Sequence, residues 1–334
     1  MKAFITDRYG KKEKLHLQDI AAPVVKENDV LVQVYSASVN FLDSKIKNGE
    51  FKLILPYKTP LVLGHDVAGV ITKTGSKVNR FKVGDEVYAR PADHRIGAFA
   101  ELIAINEADV ALKPKKLTME EAASVPLVAL TAWQALVEKA ALKKGQKVFI
   151  QAGSGGVGTI AIQLAKYIGA TVATTTSTSN VGWVKALGAD VVIDYKKEDF
   201  ETILHDYDVV LNSQGATTLE KSLRVLKPGG KLISISGPPD PDFAKEIRLS
   251  WPLKMVMGIL SFGIRRKAKR RHVDYSFLFM RAEGSQLSKI AALIDAGILS
   301  PVVDKVFPFE QTAAALAYVE SGRAKGKVVV RVTG

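Results

Sequence analysis

Cysteine is absent from this 334-residue sequence. A disulfide framework and a zinc site built on thiolates are therefore excluded, because both require cysteine sulfur. Long hydrophobic runs are also missing: near the basic segment described below, the longest apolar uncharged run is Met255–Ile264, ten residues, whereas a membrane-spanning helix needs roughly 20. Lys2 is not followed by the apolar stretch of a signal peptide, so we expect a soluble, cytoplasmic protein.

Negative charge is scarce relative to positive charge. The chain has 47 Lys and Arg against 34 Asp and Glu, a formal net charge of +13, which favours an anionic partner. The excess is not spread evenly, because residues 245–272 hold nine basic side chains and one acidic residue, Glu246. The rest of the chain is only mildly basic, so this segment needs an explanation of its own.

The composition otherwise describes a folded protein. With 47% hydrophobic residues, the chain is long enough for about two domains with real cores, and disorder is excluded. Up to about residue 122, short strand patterns separated by Gly and Pro predict an antiparallel, barrel-like domain. These patterns are Val30–Tyr35, Asp66–Thr72 and Glu86–Tyr88. Thr118–Glu121 then matches a capping box, which begins a helical stretch to about Lys139 with an interruption near Pro126.

The middle third of the chain alternates strand and helix patterns. Near-continuous apolar strands separated by helices predict a parallel sheet covered on both faces. The predicted strands are Lys147–Gln151, Ala170–Thr176, Asp190–Asp194, Asp208–Asn212 and Lys231–Ser236, and the predicted helices are Val157–Ile168, Val181–Leu187 and Thr218–Leu226. Beyond the basic segment we predict strands Ser276–Met280, Val302–Phe307 and Lys327–Val332, and helices Ser285–Ala296 and Gln311–Glu320.

A glycine-rich turn follows the first of these strands. Gly153, Gly155 and Gly158 fit the pattern G-x-G-x-x-G, with a strand before it and a helix after it. Such glycines allow a tight turn and a close backbone approach to a pyrophosphate, which the helix N-terminus then binds. A plain Gly-rich turn is the alternative, but the βα units that follow favour dinucleotide binding. The sequence has no GxxxxGK[ST] motif, which disfavours a P-loop NTPase.

The end of the second strand of such a unit normally selects between NAD and NADP. An acidic residue there binds the ribose diol of NAD, whereas this chain has Thr174–Asn180, a run of hydroxyl and amide side chains without a carboxylate. We therefore predict NADPH as the cofactor. The alternative is that these are solvated loop hydroxyls, and no arginine within the segment supports the phosphate.

Several motifs resemble one family. Pro60–Val70 (PLVLGHDVAGV) and the glycines and apolar residues after it are similar to the N-terminal signature of medium-chain dehydrogenases/reductases. Ser38–Lys45, Ala152–Gly158 and Gly326–Val329 resemble its quinone oxidoreductase and enone reductase branch. The resemblance covers nearly the whole chain and implies an α/β fold: a Rossmann doubly wound parallel sheet plus a GroES-like β-barrel domain split across both termini. The implied domains are residues 1–122 with 286–334, and residues 123–285, which include the basic segment 245–272.

The resemblance also shows which zinc ligands are missing. Zinc-dependent alcohol dehydrogenases of this family carry cysteines where Asn40 and Leu127 stand, so His65 is the one usual ligand left. A catalytic zinc ion needs three protein ligands, so we predict no metal, and alcohol dehydrogenation is disfavoured. His65 is better explained as a structural hydrogen-bonding residue, and Asp43 as the residue that fixes the turn between Asn40 and Lys45.

The resemblance implies a set of cofactor-binding residues. Asn40 and Lys45 are expected near the nicotinamide ribose or the phosphates, and Thr131 near the nicotinamide. The expected pyrophosphate residues are Gly153, Gly155, Gly156, Val157 and Gly158, and the expected adenosine 2′-phosphate residues are Ser177, Thr178, Asn180 and Tyr195. Ile235, Phe277, Phe279, Gly326 and Lys327 are expected to close over the cofactor. Plainer alternatives remain, since Tyr195 can simply end a strand, Phe277 and Phe279 can be core, and Lys327 can be a surface residue.

These expectations favour an NADPH-dependent reductase that transfers hydride to a quinone or an α,β-unsaturated carbonyl without zinc. The candidate catalytic residues are Asn40 and Tyr57, although a packing role for Tyr57 is an equal alternative and protonation assisted by solvent is favoured. The competing function is a cofactor-binding redox sensor, or a membrane-surface binding protein of the same fold, without catalysis. The resemblance further implies a homodimer, for which the sheet edge near Ser276–Met280 is a candidate seam.

The basic segment leaves three alternatives open. Pro252–Lys269 is predicted to be helical, with Trp251, Met255, Ile259 and Phe262 on one stripe and the charge at the C-terminal end. The stripe can cover the active site or an interface, with solvated cations that complement the helix dipole. Alternatively, residues 251–272 contact a membrane surface. Nucleic-acid binding is disfavoured, because aromatic side chains are not interleaved with the cations.

Overall fold

The computed structural model describes residues 1–333, and these form two compact units. The first unit combines Met1–Leu130 with the segment that begins at Arg281, and the second is Thr131–Met280. These limits differ from the boundaries predicted at residues 122 and 286. The boundary near 122 was placed where the helical stretch begins, whereas the chain leaves the first unit later in that stretch, within the helix Pro126–Trp133.

The elements follow the chain in this order. The strands are β1 (Lys2–Thr6), β2 (His16–Asp19), β3 (Asp29–Val39), β4 (Leu61–Val62), β5 (Asp66–Thr74), β6 (Glu86–Ala89), β7 (Leu102–Asn106), β8 (Val110–Leu112), β9 (Lys147–Ile150), β10 (Thr171–Thr176), β11 (Val191–Asp194), β12 (Tyr207–Asn212), β13 (Leu226–Ser234), β14 (Asp274–Phe277), β15 (Val303–Pro308) and β16 (Lys327–Arg331). The α-helices are α1 (Phe41–Lys47), α2 (Met119–Ala123), α3 (Pro126–Trp133), α4 (Gly156–Ile168), α5 (Val181–Ala186), α6 (Phe200–Ile203), α7 (Ala216–Val225), α8 (Pro241–Glu246), α9 (Trp251–Arg270), α10 (Gly284–Asp295) and α11 (Thr312–Glu320). Short 3₁₀ segments lie at Glu107–Asp109, Thr178–Asn180 and Phe309–Gln311, and a π-helical segment, Gln134–Lys139, follows α3.

The first unit is built around β3, the long strand that contains the alternating pattern Val30–Tyr35. Val30, Val32 and Val34 are completely buried, so one face of the strand packs into the core. The larger sheet has the strand order β15-β16-β3-β5-β6-β8, with β7 also paired to β3, and a small sheet has the order β2-β1-β4. Because β16 from the end of the chain pairs with β3 from its beginning, both termini build this domain. The predicted split GroES-like domain is confirmed.

The second unit contains a parallel sheet with the strand order β11-β10-β9-β12-β13-β14. Val148, Phe149 and Ile150 of β9 are all fully buried. Successive side chains of a strand point to opposite faces, so both faces of this sheet are covered. The predicted Rossmann sheet is confirmed, although its last strand ends at Phe277 rather than at Met280.

Helix α9 is present as predicted, but it packs through a different face. Met257, Ser261, Ile264 and Ala268 are buried, and the last two belong to the core cluster of the parallel sheet. The predicted stripe through Trp251, Met255, Ile259 and Phe262 is exposed, so it does not cover another part of the described chain. The small side chains Ser261 and Ala268 allow the helix to pack closely. The sequence did not indicate this face, because its side chains are smaller than those of the apolar stripe. No helix within residues 1–333 is long and apolar enough to cross a membrane.

Candidate functional site

The glycine-rich loop connects β9 to α4 at the switch point of the parallel sheet. The chain runs from β9 through β10 to β11 on one side, and then through β12, β13 and β14 on the other. The carboxyl ends of β9 and β12 therefore border the crevice in which open α/β sheets bind ligands. Gly155 is the N-cap of α4, and the first N–H groups of the helix lack intrahelical acceptors. These donors and the helix dipole favour an anion at this place.

The three glycines of the motif differ in what a side chain would meet. A Cβ at Gly153 would lie 2.4 Å from Oγ1 of Thr174, and a Cβ at Gly158 would lie 2.3 Å from the carbonyl oxygen of Ala152. Both positions therefore require glycine for packing. The nearest described atom to a Cβ at Gly155 would be the Ala152 carbonyl oxygen, at 3.3 Å. This contact is tight, but it is the one contact within 4 Å among the described residues, so the fold restricts Gly155 less than the other two glycines and the position suits the close approach of a pyrophosphate.

A buried hydrogen-bond network supports the loop at the carboxyl ends of β9, β12 and β13. Asn212 donates from Nδ2 to Oε1 of Gln151 at 2.7 Å, and Gln151 donates from Nε2 to Oγ of Ser222 at 2.6 Å. Ser234 donates to Oδ1 of Asn212 at 2.7 Å. The network fixes Gln151, the first residue of the loop. Sequence analysis missed Asn212 and Ser234, for which the available signal was a polar residue at the end of an apolar strand.

The residues predicted for the adenosine 2′-phosphate follow β10. Thr176 of β10 and Asp194 of β11 are paired in parallel register, so the segments after these strands are neighbours. Asn180 is buried and donates from Nδ2 to Oγ of Ser177 at 3.1 Å. Thr178 donates to Oδ2 of Asp194 at 2.6 Å, and this hydrogen bond lowers the pKa of the Asp194 carboxyl.

Asp194 and two lysines were missed at this place by sequence analysis. Thr174–Asn180 contains no carboxylate, but the strand register brings the Asp194 carboxylate to it. Lys196 and Lys197 are exposed, and Nζ of Lys197 lies 3.9 Å from Oδ2 of Asp194. In addition to the Thr178 hydrogen bond, both lysines lower the pKa of the Asp194 carboxyl, so their charges lie beside the carboxylate that contacts Thr178. Oγ1 of Thr176 is buried without a hydrogen-bond partner in residues 1–333, so an oxygen or nitrogen of a bound nucleotide can satisfy it.

In the first unit, the candidate residues Asn40 and Lys327 belong to a buried polar cluster. Nζ of Lys327 donates to Oδ1 of Asn40 at 2.5 Å and lies 3.2 Å from Oδ2 of Asp66. Nδ2 of Asn40 donates to the same carboxylate oxygen at 2.9 Å. The Asn40 amide is thus held from both ends, because a flipped amide would place its NH₂ group against the ammonium. Lys327 is 4% exposed, which rules out the surface alternative.

The Asp66 carboxylate balances the charge of the buried Lys327 ammonium and also accepts hydrogen bonds from neutral groups. Ser38 donates from Oγ to Oδ2 of Asp66 at 2.7 Å, and the backbone N–H of Leu127 donates to Oδ1 at 2.7 Å. A buried charge is tolerated only when it is paired and hydrogen-bonded, and this carboxylate is both. Asn40 and Leu127, which stand where the resemblance places cysteine ligands in zinc-dependent relatives, therefore both donate hydrogen bonds to Asp66.

A second carboxylate, Asp43, holds the turn that precedes α1. Its Oδ2 accepts the backbone N–H of Asn40 at 2.8 Å, which confirms the predicted role of Asp43. Its Oδ1 lies 2.6 Å from Nδ1 of His65 and accepts the backbone N–H of Gly64 at 3.0 Å. His65 is completely buried, and its Nε2 has no hydrogen-bond partner in residues 1–333. The predicted structural hydrogen bond of His65 is confirmed, and no group of three metal-ligating side chains occurs in that range.

The remaining candidates fall in several environments. Nζ of Lys45 lies 5.6 Å from the ring centre of Phe41, and Thr131 is buried in α3. Phe277 is buried, and it and Phe279 contact the ring of Phe243, as the core alternative expects. Gly156 and Val157 form the first turn of α4, Ile235 is half-buried after β13, Tyr195 is 60% exposed, and Gly326 has a φ of 77° beside Val302.

Tyr57 lies in the first unit, in a partly polar environment. Its side chain is 8% exposed, and burial together with the nearby Asp93 carboxylate raises the pKa of its phenol to about 12. Its ring centre lies 5.2 Å from that of His94. The Tyr9 hydroxyl contacts both the backbone N–H and the carbonyl of Tyr57, at 2.7 and 2.8 Å. The backbone at Tyr57 is therefore fixed, and its phenol is protonated at neutral pH.

Comparison with known proteins agrees with this geometry. Residues 26–115 match the alcohol dehydrogenase GroES-like domain family, and residues 187–330 match the zinc-binding dehydrogenase family. The tomato (Solanum lycopersicum) 2-methylene-furan-3-one reductase is 37% identical, over 99% of this chain and 79% of the relative. The NADPH-dependent alkenal/one oxidoreductase of Arabidopsis thaliana chloroplasts is 36% identical over the same shares. The quinone oxidoreductase structure from Coxiella burnetii has a TM-score of 0.84 and 31% identity, with 99% of each chain covered.

Fold, motif order and relatives agree, and the chain belongs to the medium-chain dehydrogenase/reductase superfamily, in its zinc-free quinone oxidoreductase branch. It is an oxidoreductase that depends on a nicotinamide cofactor.

Proposed function

We propose that this chain is an NADPH-dependent reductase that transfers hydride to a quinone or to the β-carbon of an α,β-unsaturated carbonyl, without a metal ion. The observation that carries the proposal is the buried cluster of Asn40, Asp66 and Lys327. At the two positions where zinc-dependent relatives have cysteine ligands, this chain has the Asn40 amide, hydrogen-bonded to Asp66 and Lys327, and Leu127, whose backbone N–H donates to Asp66. The substrate class is supported by the names of the Arabidopsis and Coxiella relatives.

The residues of this chain bind and position the cofactor. They do not activate an alcohol. The bound cofactor supplies the hydride, and an electron-poor acceptor takes it without Lewis-acid help. In the second unit, Gly155 and the first N–H groups of α4 bind the pyrophosphate. In the first unit, Asp66 and Lys327 hold the Asn40 amide in one orientation for a contact with the cofactor. Solvent supplies the proton to the reduced acceptor, and Tyr57, whose backbone is fixed by the Tyr9 hydroxyl, has a packing role.

The preference for NADPH is supported by the side chains around the end of β10. Ser177 and Asn180 offer hydroxyl and amide groups, and Lys196 and Lys197 add positive charge. Thr178 is hydrogen-bonded to Asp194, which keeps the carboxylate engaged within the protein. A 2′-phosphate at this place would find neutral donors and cations, and Lys197 offsets the charge of the Asp194 carboxylate.

We also propose a homodimer that forms along β14. This strand ends the order of the parallel sheet, so its outer backbone groups have no neighbouring strand among residues 1–333. An unpaired strand edge is a template for pairing with a second copy. Light scattering after size exclusion tests this, with twice the chain mass expected and a monomer at all concentrations contradicting it.

The function is tested by NADPH oxidation with a simple quinone and a simple alkenal, measured side by side in the presence of a chelator. We expect turnover of at least one acceptor, and no oxidation of simple alcohols with NADP⁺. NADPH binding, measured by calorimetry in the same preparation, separates the outcomes. Binding without turnover of either acceptor would contradict the reductase and favour a redox sensor.

A further inference from the structure

Helix α9 presents two opposite faces. The face that packs on the parallel sheet contains Met257, Ser261, Ile264 and Ala268, at a spacing of three or four residues. The other face, which we call the outward face, contains large apolar side chains at the same spacing. They are Trp251 (72% exposed), Met255 (48%), Ile259 (70%) and Phe262 (61%), with Val256 (41%) and Leu260 (56%) beside them. The protein thus buries the first face of α9 and leaves the outward face, with its larger apolar side chains, exposed to solvent.

Such a concentration of apolar side chains is unusual for a soluble surface. Single exposed hydrophobic residues need no explanation, but contiguous patches mark interaction sites. These six side chains lie within twelve consecutive residues of a single helix. The burial of Met257 and Ile264 shows that α9 is already anchored, so the outward face is not needed for folding of the unit.

The outward face continues into a cluster of cations. Arg266 and Arg270 follow Phe262 at helical spacing, so the stripe changes from apolar to basic along one side of the helix. The cation cluster consists of Arg265, Arg266, Lys267, Lys269, Arg270 and Arg271, and all six are exposed. Within residues 1–333, Lys267 pairs with Glu220 at 2.5 Å, and no ion pair occupies the other five. Their charge is therefore available to an external anion.

We propose that the outward face of α9 docks on the surface of an anionic lipid bilayer. Apolar side chains on one side of a helix enter the boundary between headgroups and acyl chains, and adjacent Lys and Arg contact lipid phosphates. The order of the stripe suits this arrangement, with Trp251 at one end as an interfacial aromatic residue and the cations at the other. The helix lies along the surface, since it is too short in apolar length to span.

Charge complementarity favours lipid over the other occupants of an apolar face. A second copy of the chain would bring its own cation cluster and no compensating acids from α9, which contains none. Nucleic acid would meet the cations but would leave Ile259 and Phe262 in water. An anionic bilayer can contact the outward face through its acyl chains and the cation cluster through its phosphates.

The test is flotation of the full chain with phosphatidylcholine vesicles that do or do not contain phosphatidylserine, at low and high salt. We expect flotation only with the anionic vesicles and release at high salt. Trp251 gives a local readout, because Trp133 and Trp183 are less exposed. Its fluorescence should shift to the blue on binding and be quenched by phospholipids brominated in the acyl chain.

Two variants and two matched controls separate the outward face from general charge. Arg265→Ala, Arg266→Ala, Arg270→Ala and Arg271→Ala together should weaken partitioning about a hundredfold or more. Ile259→Ser with Phe262→Ser should weaken it about tenfold. The controls are exposed residues of the first unit: Lys11→Ala, Lys12→Ala, Lys14→Ala and Lys73→Ala for charge, and Val24→Ser with Leu53→Ser for apolar area. The controls should bind as wild type does.

Each contrary outcome overturns the proposal. Absence of flotation at low salt, or equal losses in the controls, would exclude docking through α9. If wild type does not bind vesicles, and light scattering shows that Ile259→Ser with Phe262→Ser converts a dimer to a monomer, a second copy of the chain is the occupant. NADPH oxidation in solution should be unchanged in both α9 variants, so a failed vesicle experiment leaves the proposed reductase function untouched.

Discussion

Nζ of Lys327 lies 3.2 Å from Oδ2 of Asp66, and both side chains are almost completely buried. The two residues are 261 positions apart in the sequence, and the pairing of β16 with β3 and of β3 with β5 brings them together. The ion pair thus connects the C-terminal strand of the first unit to the segment that resembles a zinc-ligand region. It also orients Asn40, which contacts both charged groups.

Removal of this ammonium should destabilise the protein. Lys327→Met leaves the Asp66 carboxylate buried without a cation, and breaking a buried pair in this way costs about 3–5 kcal/mol. Urea unfolding followed by circular dichroism measures the loss. Lys325→Met, two positions earlier at an exposed site, should change the free energy of unfolding by less than about 0.5 kcal/mol.

A double variant separates lost charge compensation from lost packing. Asp66→Asn in the Lys327→Met background removes the unpaired charge, so it should recover part of the stability. If Lys327→Met unfolds at the same urea concentration as Lys325→Met, the buried pair is not a structural element.

Gly155 and Gly158 should respond differently to the same substitution. In Gly158→Ala the new Cβ meets the Ala152 carbonyl oxygen at 2.3 Å, so the loop must distort and the protein should lose about 2 kcal/mol or more of stability. In Gly155→Ala the contact is 3.3 Å at an ordinary φ of −85°, so a shift of a few tenths of an ångström relieves it and the fold should lose much less stability than in Gly158→Ala. The added methyl group instead occupies the approach of the pyrophosphate.

We expect Gly155→Ala to weaken NADPH binding tenfold or more while its thermal midpoint stays within about 3 °C of wild type. Calorimetric titration and thermal unfolding of the same samples measure both quantities. Wild-type affinity in Gly155→Ala would show that the pyrophosphate does not approach this position.

Lys196 and Lys197 should affect NADPH and NADH unequally. Lys196→Ala with Lys197→Ala removes two cations near the segment proposed to bind the 2′-phosphate, so the KM for NADPH should rise about tenfold, whereas that for NADH should stay within about twofold. Lys185→Ala, an exposed lysine on α5, is the control. Equal changes for both cofactors, or a wild-type preference for NADH of tenfold or more, would refute the NADPH assignment.

Tyr57 should be dispensable as a proton donor. Its pKa is raised to about 12 by burial, so the phenol stays protonated below about pH 11 and its ionisation leaves no inflection in the rate between about pH 6 and 10. Tyr57→Phe should retain turnover within about threefold, with the same pH profile. A hundredfold loss of kcat with unchanged KM would identify Tyr57 as the acid instead.

Much of the fold could be predicted because local patterns determine it. The alternation in Val30–Tyr35 and the strand–loop–helix order around Gly155 depend on neighbouring residues, and both were predicted correctly. The contacts of Lys327 with Asp66 and of Thr178 with Asp194 depend on strand order and register, which no local pattern reveals. For that reason the sequence did not predict these contacts. It left two alternatives for Lys327, a cofactor-binding residue and a surface residue.

Helix α9 shows what periodicity can and cannot predict. Its periodicity predicted the helix correctly but left open whether the active site, an interface or a membrane surface covers the larger apolar residues, and the structure leaves them exposed. The helix packs through Ser261 and Ala268 together with Met257 and Ile264, because small side chains allow the close approach to the sheet. Periodicity identifies an apolar stripe and cannot tell whether the protein or an external partner covers it.

The most direct test of the central proposal is the fate of the cofactor's hydrogen during reduction of an alkenal. NADPH deuterated at the transferred C4 position is mixed with the enzyme, the alkenal and a chelator, and the product is analysed by NMR. We predict deuterium at the β-carbon, hydrogen from water at the α-carbon, and a rate unaffected by the chelator. Deuterium at the carbonyl carbon, or loss of activity on chelation, would contradict metal-free hydride transfer to the β-carbon.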